Sequence, residues 1–176
     1  MFAKAKSLGI YGMDAFSVVV EADLSRGLPR FDIVGLPDAA VKESRERERA
    51  SIKNCKYDFP VSRITVNIAP ADIKKEGPLY DLPILIAVLA ATGQIKASIA
   101  DYAFVGELSL DGEIRPCTGV LPMLLKAREQ EIPAVFISYG NKTEAGAVNG
   151  IDVFAAKNIG EVIRHISGEE KLPPCF

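Results

Sequence analysis

The sequence predicts an α/β fold of the two-layer α+β type. Strand-like segments rich in β-branched residues fill the first third of the 176-residue chain, and helices and strands alternate after it. An almost wholly apolar segment at 82–91 is predicted to be a buried helix. Strands followed by alternating helices and strands are typical of helices packed on a sheet. The length suits one domain with a full core.

Three strands are predicted before residue 37. The segments 2–11 and 15–24 are separated by Gly12-Met13-Asp14, which suits a turn, and RFDIVGL at 30–36 follows the turn SRGLP. Asp38 then predicts the N-cap of a helix to about Asn54, because its carboxylate can accept a first-turn N–H. This helix is dense in charges of both signs, and Glu43 and Arg47 are spaced for an i,i+4 ion pair.

The loop KKEGPLYDLP at 74–83 links an alternating strand at 62–68 to the apolar helix. Asp81 is predicted to cap that helix by accepting an N–H near Ile84, with Pro83 in the first turn, where its missing N–H is harmless. Gly93 is predicted to end the helix as its C′ residue.

The second half of the chain predicts a hairpin and then alternating elements. The segment YAFVGELSLDGEIRP at 102–116 predicts two strands around a type I′ turn at Asp111-Gly112. Helices are predicted at 118–131, 141–148 and 158–167, and strands at 134–139 and 151–156. His165 is predicted to lie at the solvent edge of the last helix, and 169–176 is predicted to be a linker.

Composition excludes several classes of protein. The net charge is −2, and the three cysteines are far apart without a CxxC, which argues against a disulfide framework or a zinc site and favours a reducing cytoplasm. His165 is the only histidine, which argues against His-based catalytic triads. No signal peptide, membrane-spanning run, GxxxxGK[ST] or GxGxxG occurs, so a soluble protein with no membrane partner and no nucleotide site is expected.

Six basic residues are candidates for contact with DNA or with another subunit. They are Lys42, Arg45, Arg47, Arg49, Lys74 and Lys75. Alternating charge on the helix at 38–54 is usual for a solvated or inter-subunit face, whereas basic residues near the mouth of the 74–83 loop would suit phosphates. Both interpretations stay open, and no catalytic or metal-ligating residue is predicted.

Four segments together resemble the N-terminal domain of the ComM/YifB family of magnesium-chelatase-like AAA+ ATPases. They are GLPDAAVKESRERERA (35–50), ITVNIAPADIKKEG (64–77), YDLPILIAVLAATGQI (80–95) and VGELSLDGEIRP (105–116). The resemblance covers roughly residues 1–168. It implies the ribosomal-S5-domain-2-like fold, shared with the Lon proteolytic domain and the C-terminal domain of RadA.

The Lon resemblance identifies the positions of its catalytic Ser–Lys dyad. The position of the serine, after Gly77-Pro78, holds Leu79, and the position of the lysine, five residues after Pro116, holds Leu121. Leucine can neither attack a carbonyl nor accept a proton. A non-catalytic domain is therefore expected.

The family implies roles in DNA processing, recombination or natural transformation. The expected contribution of this domain is ring assembly, DNA positioning or both. Partners implied are an AAA+ domain after the linker, neighbouring subunits of a hexameric ring, and single-stranded or branched DNA. ATP and Mg²⁺ are expected in that AAA+ domain, and no cofactor in this chain. The alternatives are a peptidase using Ser109, Thr118 or Tyr80, and a subunit of a metal chelatase.

Overall fold

Nine strands are present in the computed structural model, which describes residues 1–175. They are β1 (Phe2–Tyr11), β2 (Asp14–Ser25), β3 (Arg30–Val34), β4 (Arg63–Ala69), β5 (Tyr102–Phe104), β6 (Glu107–Leu108), β7 (Ile114–Arg115), β8 (Ala134–Ser138) and β9 (Asp152–Ala156). Seven of them form one sheet in the order β3-β4-β2-β1-β5-β8-β9, and β6 and β7 form a separate hairpin. The chain thus has a mixed α/β architecture.

The main sheet is mostly parallel. The pairs β3–β4, β1–β5, β5–β8 and β8–β9 are parallel, whereas β1–β2 and β2–β4 are antiparallel. All five residues of β8 are buried, as expected for a parallel strand covered on both faces. In β2 the buried residues alternate along Val18, Val20, Ala22 and Leu24, so one face of that strand lies against the core.

Six helices connect and cover the strands. They are α1 (Ala39–Lys42), α2 (Ser44–Asn54), α3 (Asp81–Ala91), α4 (Val120–Glu129), α5 (Lys142–Ala145) and α6 (Ile159–Ser167), with 3₁₀ turns at Pro78–Tyr80 and Tyr139–Asn141. Helix α3 packs on β1 and β2 and against α2, and only Ala90 in it is not fully buried. It therefore has no solvent-facing stripe, which explains its apolar sequence.

The predicted strands and helices are present, with differences at Glu43 and in the segment 102–116, where the strand predicted before Asp111 is divided into β5 and β6. The helix predicted at 38–54 is interrupted at Glu43, which separates α1 from α2. Gly93 has φ +82°, and the Gln94 and Gly93 N–H groups bond to Leu89 O and Ala90 O, so α3 ends in the predicted C′ glycine.

The type I′ turn was a wrong prediction. A type I′ turn needs positive φ at both central residues, but only Gly112 of the Asp111-Gly112 pair has it. Gly112 N–H bonds to Ser109 O and Ser109 N–H to Glu113 O, which gives a three-residue loop ending in left-handed glycine. The hairpin itself is confirmed.

His165 is buried, contrary to the prediction that it lies at a solvent edge. Its ring lies 4.3 Å from that of Phe154 and 5.2 Å from that of Phe136, and Nδ1 accepts the Leu172 N–H at 2.8 Å. Burial lowers the pKa of the imidazole, because the charged form loses solvation. The histidine therefore anchors the segment after α6 instead of facing water.

Candidate functional site

Lys75 joins two loops that are far apart in sequence. Its ammonium donates to the carbonyl oxygens of Gly35 and Pro70, and its backbone pairs with Leu36 O and Asp38 N–H at 2.9 Å each. The two carboxylate oxygens of Asp38 accept the N–H groups of Val41 and Gly77. The loops 35–38 and 74–78 are thus one hydrogen-bonded unit, and the predicted N-cap at Asp38 is confirmed.

Gly35 is required by the close approach of these loops. A Cβ there would lie 2.2 Å from the backbone oxygen of Ile68, and the residue has φ +107°. Both facts exclude a side chain at this position.

Lys75 does not fit the prediction of a phosphate contact. The side chain is fully buried, and burial lowers the pKa of its ammonium. Its ammonium donates to the backbone carbonyls of Gly35 and Pro70, so it holds these loops together and is not available to a ligand. We therefore remove Lys75 from the candidate contact residues.

Asp81 is not the helix cap that the sequence predicts. It is the first residue of α3, and its carboxylate accepts two bonds from Arg47, at 2.6 and 3.1 Å, and one from Leu108 N–H at 3.0 Å. The side chain is fully buried. Arg47 also donates to Ala40 O at 3.0 Å, so the expected Glu43–Arg47 pair is replaced by an α2–α3 ion pair.

Burial raises the pKa of Asp81 to about 6, although Arg47 and the Leu108 N–H oppose the shift. The pKa of Arg47 is raised: burial lowers it, but the hydrogen bond and the charge of Asp81 outweigh that effect. At neutral pH the pair is ionised on both sides.

Glu48 directly follows Arg47 in α2, and its carboxyl group has no hydrogen-bond partner among the described residues. The side chain is fully buried, and the hydroxyl of Ser44, one turn earlier, likewise has no partner within residues 1–175. Burial and the charge of Asp81 raise the pKa of Glu48 well above its ordinary value. An unsatisfied buried carboxyl of this kind destabilises the fold.

The remaining candidate cations differ in their accessibility. Lys42 and Lys74 are exposed. Arg45 is half-buried and donates to Phe31 O at 3.3 Å, and Arg49 lies 4.7 Å from the ring centroid of Phe59. Of the six candidate cations, Lys42 and Lys74 therefore have the most accessible charge.

The residues at the two Lon-dyad positions have opposite exposures. Leu79 belongs to the core with 9% exposure, whereas Leu121 lies on α4 with 39% exposure. Tyr80 is buried, and burial raises the pKa of its hydroxyl. Neither Leu79 nor Tyr80 offers a solvent-accessible nucleophile.

Among the described residues, no lysine or histidine is hydrogen-bonded to the other two proposed nucleophiles, Ser109 and Thr118. The Ser109 hydroxyl donates to the Asp111 carboxylate and accepts the Glu113 N–H, so it closes the hairpin loop. Thr118 is exposed and makes no side-chain hydrogen bond within residues 1–175. His165 is enclosed by aromatic rings and bonds to backbone, so it does not serve either hydroxyl.

Three half-buried cysteines carry free thiols. Burial raises the pKa of Cys55 and Cys175, and that of Cys117 to about 12. Within residues 1–175 no group of three His, Cys, Asp or Glu side chains is placed to hold a metal ion, and no helix there has the length and apolar character to cross a membrane.

A cleft that the sequence reasoning missed lies at the far end of α2. It has a volume of about 740 Å³ and lies between the residues after α2, the β6–β7 loop, the 3₁₀ turn at Tyr139 and the start of α6. Cys55, Asp111, Tyr139, Lys157 and Arg164 are among its lining residues. No sequence signal marks it, because its walls come from four separate segments.

The family model described as "Subunit ChlI of Mg-chelatase" matches residues 20–141. The chain belongs to this family. Competence protein ComM of Haemophilus influenzae is 41% identical over 163 residues, which are 92% of this chain and 32% of that protein. The uncharacterized protein YifB of Escherichia coli is 40% identical over 162 residues, 92% of this chain and 32% of that protein.

The predicted ComM/YifB relationship is therefore confirmed for this N-terminal-type domain. The chain spans about a third of the length of these two relatives. Lon protease of Mycolicibacterium smegmatis is a weaker match, 23% identical over 171 residues, which are 90% of this chain and 22% of that protein.

The Lon similarity and the mostly parallel sheet together support the predicted Lon-like S5 fold. In this ComM/YifB-type domain the elements that would carry the Lon dyad are present. Leucine occupies the two positions, 79 and 121, that the resemblance to Lon assigns to the dyad.

Proposed function

We propose that this ComM/YifB-type domain is a non-catalytic part of a magnesium-chelatase-like AAA+ ATPase that acts in DNA processing. The observation that carries the proposal is the pair of leucines, Leu79 and Leu121, at the two positions of the Lon dyad. A Lon-like domain that lacks a nucleophile and a base still provides a folded scaffold for binding other subunits or DNA. Recombination and natural transformation are the proposed settings.

The proposed tasks of the domain are DNA positioning and ring assembly. Lys42 and Lys74 supply accessible positive charge for phosphate contacts, and helix α2 presents both signs of charge for a polar contact with a neighbouring subunit. ATP hydrolysis with Mg²⁺ is proposed to belong to an AAA+ domain of the longer protein, which is proposed to form a hexameric ring in the cytoplasm.

The test measures the binding of fluorescent single-stranded and branched DNA by anisotropy. Salt is varied from about 50 to 200 mM, because affinity that comes from phosphate contacts falls steeply over this range. A Lys42→Ala/Lys74→Ala variant should bind more weakly, with a salt slope lower by about 1.4 for single strands. Arg47 and Lys75 are left intact, because alanine there would disturb buried contacts.

The matched control is Lys4→Ala/Lys96→Ala, which removes two exposed lysines elsewhere on the surface. Equal DNA affinity of the two double variants would show that Lys42 and Lys74 do not contact the DNA. Absence of binding by the unmodified chain to either DNA would contradict DNA positioning and leave ring assembly as the task to be tested, by sedimentation velocity over a concentration series.

A further inference from the structure

An exposed aromatic ring lines the cleft at the end of α2, and the ammonium groups of two lysines lie over that ring. Tyr139 is 46% exposed, and the ammonium groups of Lys142 and Lys157 lie 5.3 and 4.8 Å from its ring centroid. Both distances are within the range of a cation–π contact.

We propose that this cleft binds single-stranded DNA: one base stacks on Tyr139 in place of the two ammonium groups, and Lys142 and Lys157 turn from the ring to the adjoining phosphates. The inference rests on the proposed function in DNA processing and assigns to it a site away from Lys42 and Lys74. An aromatic ring beside basic side chains is the combination by which proteins bind single strands without sequence preference.

The geometry favours a single strand over a duplex. A base can stack on a protein ring only when its own face is free, which is true of unpaired bases and not of bases inside a double helix. The cleft volume of about 740 Å³ lies within the usual range for small-ligand sites, so a base and its sugar-phosphate fit.

The positions of the charged residues in the cleft indicate where the phosphates of a bound strand would lie. Lys157 and Arg164 line it together with Asp111 and Glu113 from the β6–β7 loop. The Asp111 carboxylate accepts bonds from the Ser109 hydroxyl and the Glu113 N–H, which keeps it on the loop side. The phosphates are therefore expected on the side of Lys157, with Lys142 next to the cleft at the Tyr139 ring, because the loop side repels them.

An acidic peptide is the less favoured occupant. Its carboxylates would pair with the lysines but would leave the tyrosine face without a planar partner. Removal of the Tyr139 ring distinguishes single-stranded DNA from an acidic peptide, because base stacking depends on the ring and the pairing of carboxylates with lysines does not.

The experiment measures the affinity of the 176-residue chain for fluorescent oligothymidine by anisotropy, with an unlabelled polyglutamate peptide as competitor. Tyr139→Ala should weaken binding about tenfold or more, whereas Tyr139→Phe should retain most of it, because phenylalanine keeps the stacking face. The matched control is Tyr11→Ala, which removes a tyrosine of 67% exposure at the β1–β2 turn.

The phosphate contacts are tested by the Lys142→Ala/Lys157→Ala variant, whose salt slope should fall by about 1.4. If the unmodified chain binds oligothymidine and Tyr139→Ala binds equally well, the inference is overturned and the proposed function stands. If the unmodified chain binds no DNA, the inference and the DNA-positioning part of the proposed function both fail, and ring assembly is left to be tested. Competition by polyglutamate at matched charge concentration, with no effect of Tyr139→Ala, would assign the cleft to acidic peptides.

Discussion

The carboxylate of Asp81 connects three elements at one point. It belongs to α3 and accepts hydrogen bonds from Arg47 of α2 and from the Leu108 N–H of β6. Removing one partner of a buried pair is costly, because the other charge is left without compensation. The residue that sequence analysis interprets as a cap thus holds α2 and the hairpin against the central helix.

The raised pKa of the buried Glu48 carboxyl group predicts how the free energy of unfolding depends on pH. Its pKa is raised in the folded state by burial and by Asp81, while Arg47 opposes the shift. The folded state therefore binds more protons than the unfolded state above the ordinary glutamate pKa of about 4.3, and the free energy of unfolding falls as pH rises toward the raised value. The slope is at most about 1.4 kcal/mol per pH unit.

Urea denaturation of Glu48→Gln and the unmodified chain at several pH values between about 5 and 8 tests this expectation. Asp81 titrates in both proteins, so its contribution largely cancels in the difference between them. The variant should gain stability relative to the unmodified chain as pH rises. A difference that is the same at every pH would contradict the raised pKa of Glu48.

Local sequence rules predict the cap at Asp38 but not the role of Asp81. Both carboxylates precede a helix, and the distinction depends on Arg47, which is 34 residues away in sequence. His165 was mispredicted for the same reason, since the aromatic rings around it come from β5, β8 and β9. Periodicity within one helix carries no information on such distant partners.

At the scale of elements, the two loops 35–38 and 74–78 behave as one unit through Lys75. Lys75→Met keeps the aliphatic stem but leaves the Gly35 and Pro70 carbonyls without their donor. We expect a loss of about 2–4 kcal/mol in the free energy of unfolding. Chemical denaturation measures it directly.

The neighbouring Lys74 provides the control for this prediction. Lys74→Met removes the same charge from an exposed side chain whose ion pair with Glu76 has a distance of 3.8 Å. Its effect should stay within about 0.5 kcal/mol. Similar losses in the two variants would show that the buried bonds of Lys75 add nothing to stability.

Most elements are predictable because each has a strong local pattern. The β-branched run of β2, the apolar run of α3 and the Asp111-Gly112 pair suffice to place a strand, a helix and a hairpin. The turn type is not predictable from the pair alone, since Asp-Gly also suits a three-residue loop with one left-handed glycine. The order of strands in the sheet likewise depends on contacts between distant segments.

At the scale of the whole molecule, we expect no peptidase activity from this chain. The Lon-like fold is retained, but Leu79 and Leu121 supply neither nucleophile nor base, and Ser109 closes a hairpin loop. Casein hydrolysis and labelling by a fluorophosphonate should both be absent, with an active Lon protease as the positive control. Labelling that disappears in Ser109→Ala or Thr118→Ala would contradict this expectation.

The candidate sites were only partly predictable at this scale. The basic residues of α2 are visible in the sequence, but which of them are accessible depends on their tertiary partners, such as Asp81 for Arg47 and Phe59 for Arg49. The cleft at Tyr139 could not be predicted, because its walls are brought together only by the fold.

The unequal burial of Leu79 and Leu121 determines what installing a Ser–Lys dyad would cost in stability. Replacing the core residue Leu79 by serine removes buried apolar volume and places a hydroxyl in the core, at a cost comparable with the roughly 2–5 kcal/mol of a buried Leu→Ala change. Replacing Leu121, which is 39% exposed, costs little. Position 121 therefore tolerates substitution at little cost in stability, whereas a serine at position 79 destabilises the core, so installing a Ser–Lys dyad in this fold requires a compensating change around position 79.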